Sequence, residues 1–263
     1  MEAIVNPNDR KDLGNVNVSV SIVSHGQASM VAQLLHDVGR VCKSNRVEVI
    51  LTLNLPEMLP FSEFEFPFLV KLIRNPEPKG FGANHNQAFK DASGIFFCVL
   101  NPDIRLLHDP FPILLALLED TSIGLVAPLV LGATGFTENS FRRFPTPMRI
   151  AKKIIKCPAP PDYLVLTDVI YPQWVAGMFM LIRHSLFSDL EGFDERYFLY
   201  YEDVDICVRI HLLGYKLAFC PDAKVIHFAQ RTSHKNLKYL RWHLTSMIRF
   251  FLSSTYRRSR RLS

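Results

Sequence analysis

No apolar stretch in this chain of 263 residues reaches the roughly 18–20 residues of a membrane-crossing helix. Each one is broken by proline, glycine or charge. The first fifteen residues, MEAIVNPNDRKDLGN, lack the apolar centre of a signal peptide, so the chain is expected to be uncleaved and cytoplasmic. Cysteine is sparse. Cys42, Cys98, Cys157, Cys207 and Cys220 are an odd set without Cys-x-x-Cys spacing. That argues against a disulfide framework or a zinc site and leaves buried thiols. Internal repeats and low-complexity blocks are also missing, which removes solenoids. Hydrophobic residues make up 48% and charged residues 21%, a balance that excludes global disorder and supports one large domain.

The net charge is +5 and is unevenly placed. The last eight residues, YRRSRRLS, hold four arginines, preceded by Arg231, Lys235, Lys238, Arg241 and Arg249. Such an end suits an anionic surface. No nucleic-acid recognition module accompanies it, so nucleic acid is not an expected partner.

After a loose arm at 1–15, apolar alternation predicts strands in NVNVSVSIVSHG, RVEVILTLN, FPFLVKLIRN, IFFCVLNPD and SIGLVAPLV. Helical spacing marks GQASMVAQLLHDVGRVC, NHNQAFKDASG and DPFPILLALLED between them. Strands alternating with helices predict an α/β unit with a largely parallel sheet. GATGFTENSFRRFPTPMRIAKKIIKCPAPPDYL, rich in glycine, proline and basic residues, reads as an excursion or lid. WVAGMFMLIR is then an extended run and EDVDICVRIHLLG a helix ending at Gly214. YKLAFCP and KVIHF read as two short strands, and 234–256 as an amphipathic helix whose apolar face, Leu237, Leu240, Leu244, Met247, Ile248 and Phe251, is expected mostly to cover the domain.

Three constellations could carry chemistry. In KGFGANHNQA, Gly80 and Gly82 open a helix after a strand, where free amides suit an anion such as a diphosphate. A tight turn with an asparagine-capped helix explains the same residues. In VLNPD, Asn101 and Asp103 end a strand, the place where open α/β sheets bind ligands and a carboxylate can hold Mg²⁺ or Mn²⁺. An ordinary Asn-Pro-Asp turn is the competing reading. In GFDERYFLYYEDVDICVR, Glu202 and Asp203 stand among aromatics that raise carboxylate pKa values toward general-base use. Both acids would equally suit a helix N-terminus. Asp205 and Arg209, four apart, read as an ion pair, and Trp174 fits core packing.

In this order, the segments VSVSIVSHG, NPEPKGFGANHNQAF, VLNPDIRL, WVAGMFMLIRHSLF, GFDERYFLYYEDVDICVRIHLLGYKL and PDAKVIHF, spanning about residues 17–228, resemble the family 2 glycosyltransferases of the GT-A fold, close to a bacterial rhamnosyltransferase-like branch. The resemblance implies a Rossmann-like, mostly parallel central sheet flanked by helices, over 16–232, with a C-terminal helix and basic tail over 233–263. It implies that Asp203 is the catalytic base with Glu202 beside it, and that Asp103 binds Mg²⁺ or Mn²⁺ on the donor diphosphate with His227 as a further ligand. A core histidine bonded to the backbone is the other reading of His227. Ser24, Asn54, Lys79, Gly80, Gly82, Asn86 and Asn101 would contact the donor, and Trp174 and Gly177 the acceptor.

The sequence departs from the family pattern in three places. Asn101 replaces the first acid of the metal motif, Leu53 stands where an acid holds the base, and Pro78 precedes the Gly-Phe pair. Base recognition is then expected to pass to Asn54 or other groups. The implied activity is inverting transfer of a sugar, L-rhamnose from dTDP-L-rhamnose, to a saccharide or lipid-linked acceptor in cell-envelope polysaccharide assembly. The protein would be cytoplasmic and peripheral at the inner membrane face. A non-catalytic sugar-nucleotide-binding or scaffolding subunit is the rival reading.

Overall fold

The computed structural model describes residues 16–43, 46–155, 160–165, 167–228 and 237–262. The expected arm at 1–15, Cys157, Arg231, Lys235 and the boundary at 232/233 lie outside the described residues. The elements run β1 (Val18–Ser24), α1 (Ala28–Val41), β2 (Val47–Leu53), β3 (Leu69–Arg74), α2 (Phe81–Phe89), β4 (Phe96–Leu100), β5 (Ile104–Arg105), α3 (Phe111–Leu117) and β6 (Ile123–Gly132). They continue as β7 (Phe141–Arg142), α4 (Pro147–Ile154), β8 (Trp174–Val175), β9 (Phe179–Arg183), α5 (His184–Asp189), α6 (Glu202–Leu212), β10 (Lys216–His227), α7 (Leu237–Leu252) and α8 (Ser254–Ser259).

One sheet in the order β3-β2-β1-β4-β9-β6-β10-β5 organises the chain. Its first four strands are parallel, as βα alternation demands. The sheet is nevertheless mixed. β9 runs antiparallel to both β4 and β6, and β5 antiparallel to β10. The run WVAGMFMLIR is split at Gly177, so that β8 pairs with β7 in a separate two-stranded sheet and only β9 enters the main one. The two expected strands after Gly214 are one strand, β10, whose register against β6 shifts between Cys220 and Lys224.

Strand side chains alternate between the two faces, and both faces are covered. In β4, Cys98 and Leu100 join Val31, Leu34, Leu35 and Val38 of α1. Phe97 and Val99 face Phe187, Ile206, Ile210 and Phe250. Burial of each of those α1 side chains contributes about 1.5–3 kcal/mol before conformational entropy is set against it. Cys42, Cys98, Cys207 and Cys220 are buried free thiols. The buried acid inside the sheet is paired. Glu48 receives Lys71 at 2.8 Å and Ser19 Oγ at 2.6 Å, and Ser93 donates to it through N and Oγ.

The C-terminal helix also differs from expectation. Ser253 ends α7, and its Oγ accepts from Tyr256 N to cap α8. Of the apolar row expected mainly to cover the domain, Met247 and Phe251 pack against the core, while Leu237, Leu240, Leu244 and Ile248 point outward. The inward face is Trp242, His243, Ser246 and Phe250, because these reach the aromatic loop ahead of α6.

Candidate active site

The carboxyl ends of β1, β2, β3 and β4 form one edge, and asparagines tie it together. Asn54 Nδ2 lies 2.9 Å from Lys79 O and 2.8 Å from His25 Nε2. Its Oδ1 accepts from Lys79 N at 2.8 Å and from Asn75 Nδ2 at 2.8 Å. Asn54 is 1% exposed, and its side-chain amide is fully engaged within the protein. It braces the 75–79 turn. Ser24 Oγ accepts from Gln27 N at the start of α1. Lys79 keeps its ammonium at the surface, 2.5 Å from Gln87 Oε1.

The first amide of α2 is taken up by a neighbouring loop. Phe81 N donates to Phe198 O at 2.8 Å. A Cβ on Gly80 would lie 2.7 Å from Phe198 O, and one on Gly82 would lie 2.6 Å from Phe193 Cβ. The close approach of the 193–198 loop requires both glycines. Asn86, also expected at the donor, clasps that loop through Phe193 N and O and Glu195.

Beyond β4 the chain turns at Asn101–Asp103 into β5. Asp37 of α1 fixes this turn from behind. It takes Arg105 Nε at 2.5 Å, Arg105 Nη2 at 3.2 Å and Leu106 N at 3.2 Å. Asp103 is then held against the end of β10. Its Oδ2 meets His227 Nε2 at 3.1 Å, and its carbonyl accepts from Phe228 N. The other nitrogen of His227, Nδ1, lies 2.9 Å from Glu138 Oε2. His227 is therefore partnered by two carboxylates and not by backbone. Burial would lower its pKa, but Asp103 and Glu138 outweigh that and raise it. Asp103 Oδ1 is buried without a partner. An orphaned carboxylate oxygen beside an imidazole nitrogen fits a divalent cation. No group of three or more His, Cys, Asp or Glu converges among the described residues, so the protein would supply only part of the coordination shell.

Asp203 sits in the first turn of α6. Oδ1 accepts from Val204 N at 2.8 Å and Oδ2 from Gly177 N at 3.2 Å. The next residue, Met178, accepts from Asn101 N at 3.0 Å. One short segment thus separates the Asp203 carboxylate from the Asn101–Asp103 turn. Burial raises the Asp203 pKa, while the Val204 and Gly177 amides and the Arg142 charge oppose the rise. Glu202 is 4% exposed, and burial together with the Asp203 charge pushes its carboxyl well above the usual carboxylate range. It is the buried neighbour of Asp203 in the first turn of α6. Asp205 forms the expected pair with Arg209 at 2.7 Å.

The two tyrosines before α6 have left-handed backbones, φ 69° at Tyr200 and 70° at Tyr201. Each costs about 1–3 kcal/mol and persists only because the surroundings over-determine it. Those surroundings are His243 and Phe250 of α7, whose rings lie 5.6 and 5.4 Å from Tyr201.

Residues 19–170, more than half of the chain, match the family model described as Glycosyl transferase family 2. The chain belongs to glycosyl transferase family 2. This glycosyltransferase is 28% identical over 247 residues to the rhamnosyltransferase WbbL of Escherichia coli K12, covering 89% of this chain and 92% of WbbL. It is 31% identical over 142 residues to the N-acetylglucosaminyl-diphospho-decaprenol L-rhamnosyltransferase of Mycobacterium tuberculosis, over 49% of this chain and 45% of that protein. The fold is GT-A. The structure of GalNAc-T7 with UDP, GalNAc and Mn²⁺ superposes with a TM-score of 0.65 at 18% identity, over 91% of this chain and 48% of that one. The mannosyltransferase PcManGT of Pyrobaculum calidifontis with GDP-Man and Mn²⁺ gives 0.61 at 16%, over 90% and 66%. The chain thus spans about half of GalNAc-T7.

Two polar residues at the glycosyltransferase site escape sequence reasoning. Glu138 and Arg142 both lie in the excursion, and the signal was its SFRRF run. β7 fixes Arg142 opposite Trp174 of β8. Its Nε donates to Asn139, and its guanidinium carbon stands 5.5 Å from the Trp174 ring centre. Trp174 is half-buried, with Nε1 donating to Arg143 O. It packs against the edge of the core, as the core reading expects, and is also the floor under Arg142.

Proposed function

We propose that the protein transfers L-rhamnose from dTDP-L-rhamnose to a hydroxyl of a lipid-linked saccharide, with inversion, in cell-envelope polysaccharide synthesis. The names of WbbL and of the mycobacterial relative support the sugar, and the latter supports the lipid-linked acceptor. The observation that carries the mechanism is Asp203, a carboxylate of raised basicity aimed by two backbone amides across one short segment from Asp103.

Asp203 takes the proton of the acceptor hydroxyl as that oxygen bonds to the anomeric carbon. The bond from that carbon to the donor diphosphate breaks, and the nucleoside diphosphate leaves. General-base help of this kind is worth about 10²–10⁴ in rate. Asp103 and His227 would hold Mg²⁺ or Mn²⁺, which when bound neutralises charge on the leaving diphosphate. GalNAc-T7 and PcManGT, solved with Mn²⁺, support that choice. Glu138 orients the His227 ring. Lys79 and Arg142 add positive charge, Asn101 a neutral polar contact, and Ser24 and Trp174 border the donor and acceptor sides.

The reading is tested by screening nucleotide-sugars for Mn²⁺-dependent thermal stabilisation, since a ligand at a hundred times its Kd adds about 2.7 kcal/mol. dTDP-L-rhamnose is expected to give the largest shift, and proton NMR of the product an inverted anomeric centre. Preference for another donor would overturn the sugar, and a retained configuration the single-displacement mechanism.

A further inference from the structure

α7 has two unlike faces. The inner one is anchored: Trp242 stacks 4.6 Å from Phe198, His243 meets Tyr200 and Tyr201, and Ser246 Oγ donates to Leu199 O. On the opposite side stand Leu237, Leu240, Leu244, Ile248 and Leu252, exposed by 82, 52, 43, 55 and 76%. Spacings of three and four place them in one row along the helix. Single exposed leucines are ordinary, but a continuous aliphatic row on a surface helix marks a contact surface.

The charge beside the row says what it meets. Lys238, Arg241 and Arg249 share α7 with it, and Arg257, Arg258, Arg260 and Arg261 follow at the surface. From Leu237 to Ser263 there is no aspartate or glutamate. A nucleic acid would satisfy the arginines and leave the leucines wet. A second copy packed row to row would bring two unrelieved basic flanks together. An anionic bilayer satisfies both, with headgroups on the basic side chains and the acyl boundary under the leucines.

We propose that α7 lies in the interface of an anionic membrane with its leucine row inserted, and that the arginines of α8 hold it there. This deepens the lipid-linked acceptor reading and rests on it for its purpose. The inner face of the same helix supports Tyr200 and Tyr201, the turn that enters α6, so docking sets Asp203 at a fixed height above the bilayer. No described helix is long and apolar enough to cross a membrane, which agrees with a helix lying on one.

The test is co-sedimentation of the full chain, without donor or metal, with vesicles of phosphatidylcholine plus phosphatidylglycerol and with phosphatidylcholine alone. The expected result is binding to the anionic vesicles that weakens at least about tenfold on neutral ones. A variant with Leu244→Glu and Ile248→Glu should lose a similar factor at an unchanged Tm, since both side chains point away from the domain. High salt should weaken wild-type binding without abolishing it, because the inserted leucines are not screened. Equal binding by the variant, no binding by the wild type, or a wild-type dimer that the variant dissolves would each overturn the proposal. Transfer to a water-soluble saccharide, measured in parallel without vesicles, separates the two readings. Vesicle binding with no transfer by either form supports docking and contradicts only the proposed function.

Discussion

The Gly177 amide donates to Oδ2 of Asp203 at 3.2 Å, so the turn between β8 and β9 sets the direction of the carboxylate on α6. A Cβ at Gly177 would meet Phe81 Cζ at 3.1 Å and Asp203 Cβ at 3.7 Å. Gly177→Ala must therefore move that turn, the Phe81 ring or the base. Misplacement by about 1 Å costs near 10²-fold in rate. Steady-state kinetics should show kcat lowered by about 10–100-fold with donor KM little changed, and an unchanged kcat would remove Gly177 from positioning.

Glu138 reaches the site only through His227, and its replacement should act on metal affinity. Loss of such an orienting carboxylate typically costs about 10–100-fold in affinity. Glu138→Gln, titrated with Mn²⁺ by calorimetry in the absence of donor, is expected to weaken binding by that factor at nearly constant Tm. The amide can still accept from the ring but no longer adds its charge.

Arg142 supports ionisation of Asp203 from across the lid. Without that charge the carboxyl pKa rises, so more protons must be removed before the base is active. In Arg142→Ala the acid limb of the kcat/KM profile should move to higher pH. A limb that stays in place would show that the guanidinium does not couple to the base.

Asp37 is 4% exposed, and although burial alone would raise its pKa, Arg105, Arg40 and the Leu106 amide bring it below the usual value. A depressed folded-state pKa adds stability that is present above the unfolded value and is lost as pH falls through the folded one. Asp37→Asn should cost about 3 kcal/mol at neutral pH by stranding Arg105, discounted for its partial exposure. The variant's Tm should also fall less steeply on acidification than the wild type's. Since Arg105 follows Asp103 by two residues, Mn²⁺ affinity should drop as well.

The parallel half of the sheet was legible because each of its strands is apolar and followed by a helix or turn of clear spacing. β9 was not, since Phe179–Arg183 reads the same in either direction and only its neighbours β4 and β6 fix its sense. Asp203 and Asp103 were singled out by short local motifs, and His227 by the family resemblance. Glu138 and Arg142 depend on how the lid folds back, which local spacing does not encode. The glycines of KGFGANHNQA left two readings open because a close approach to loop backbone and one to a phosphate demand the same residue. In α7 the heptad-like leucines suggested a buried row, but the aromatic and histidine face has partners of matching shape at Phe198, Tyr200 and Tyr201.

Transfer by Asp203→Asn tests the central assignment most directly. The amide is nearly isosteric, keeps one oxygen to accept from one of the two backbone amides, and cannot take a proton from the acceptor. With dTDP-L-rhamnose and a lipid-linked saccharide, single-turnover transfer should fall by about 10²–10⁴-fold while donor Kd, read by calorimetry, stays within a few-fold of wild type. A variant that kept more than about a tenth of the wild-type rate, with the donor bound normally, would contradict Asp203 as the general base.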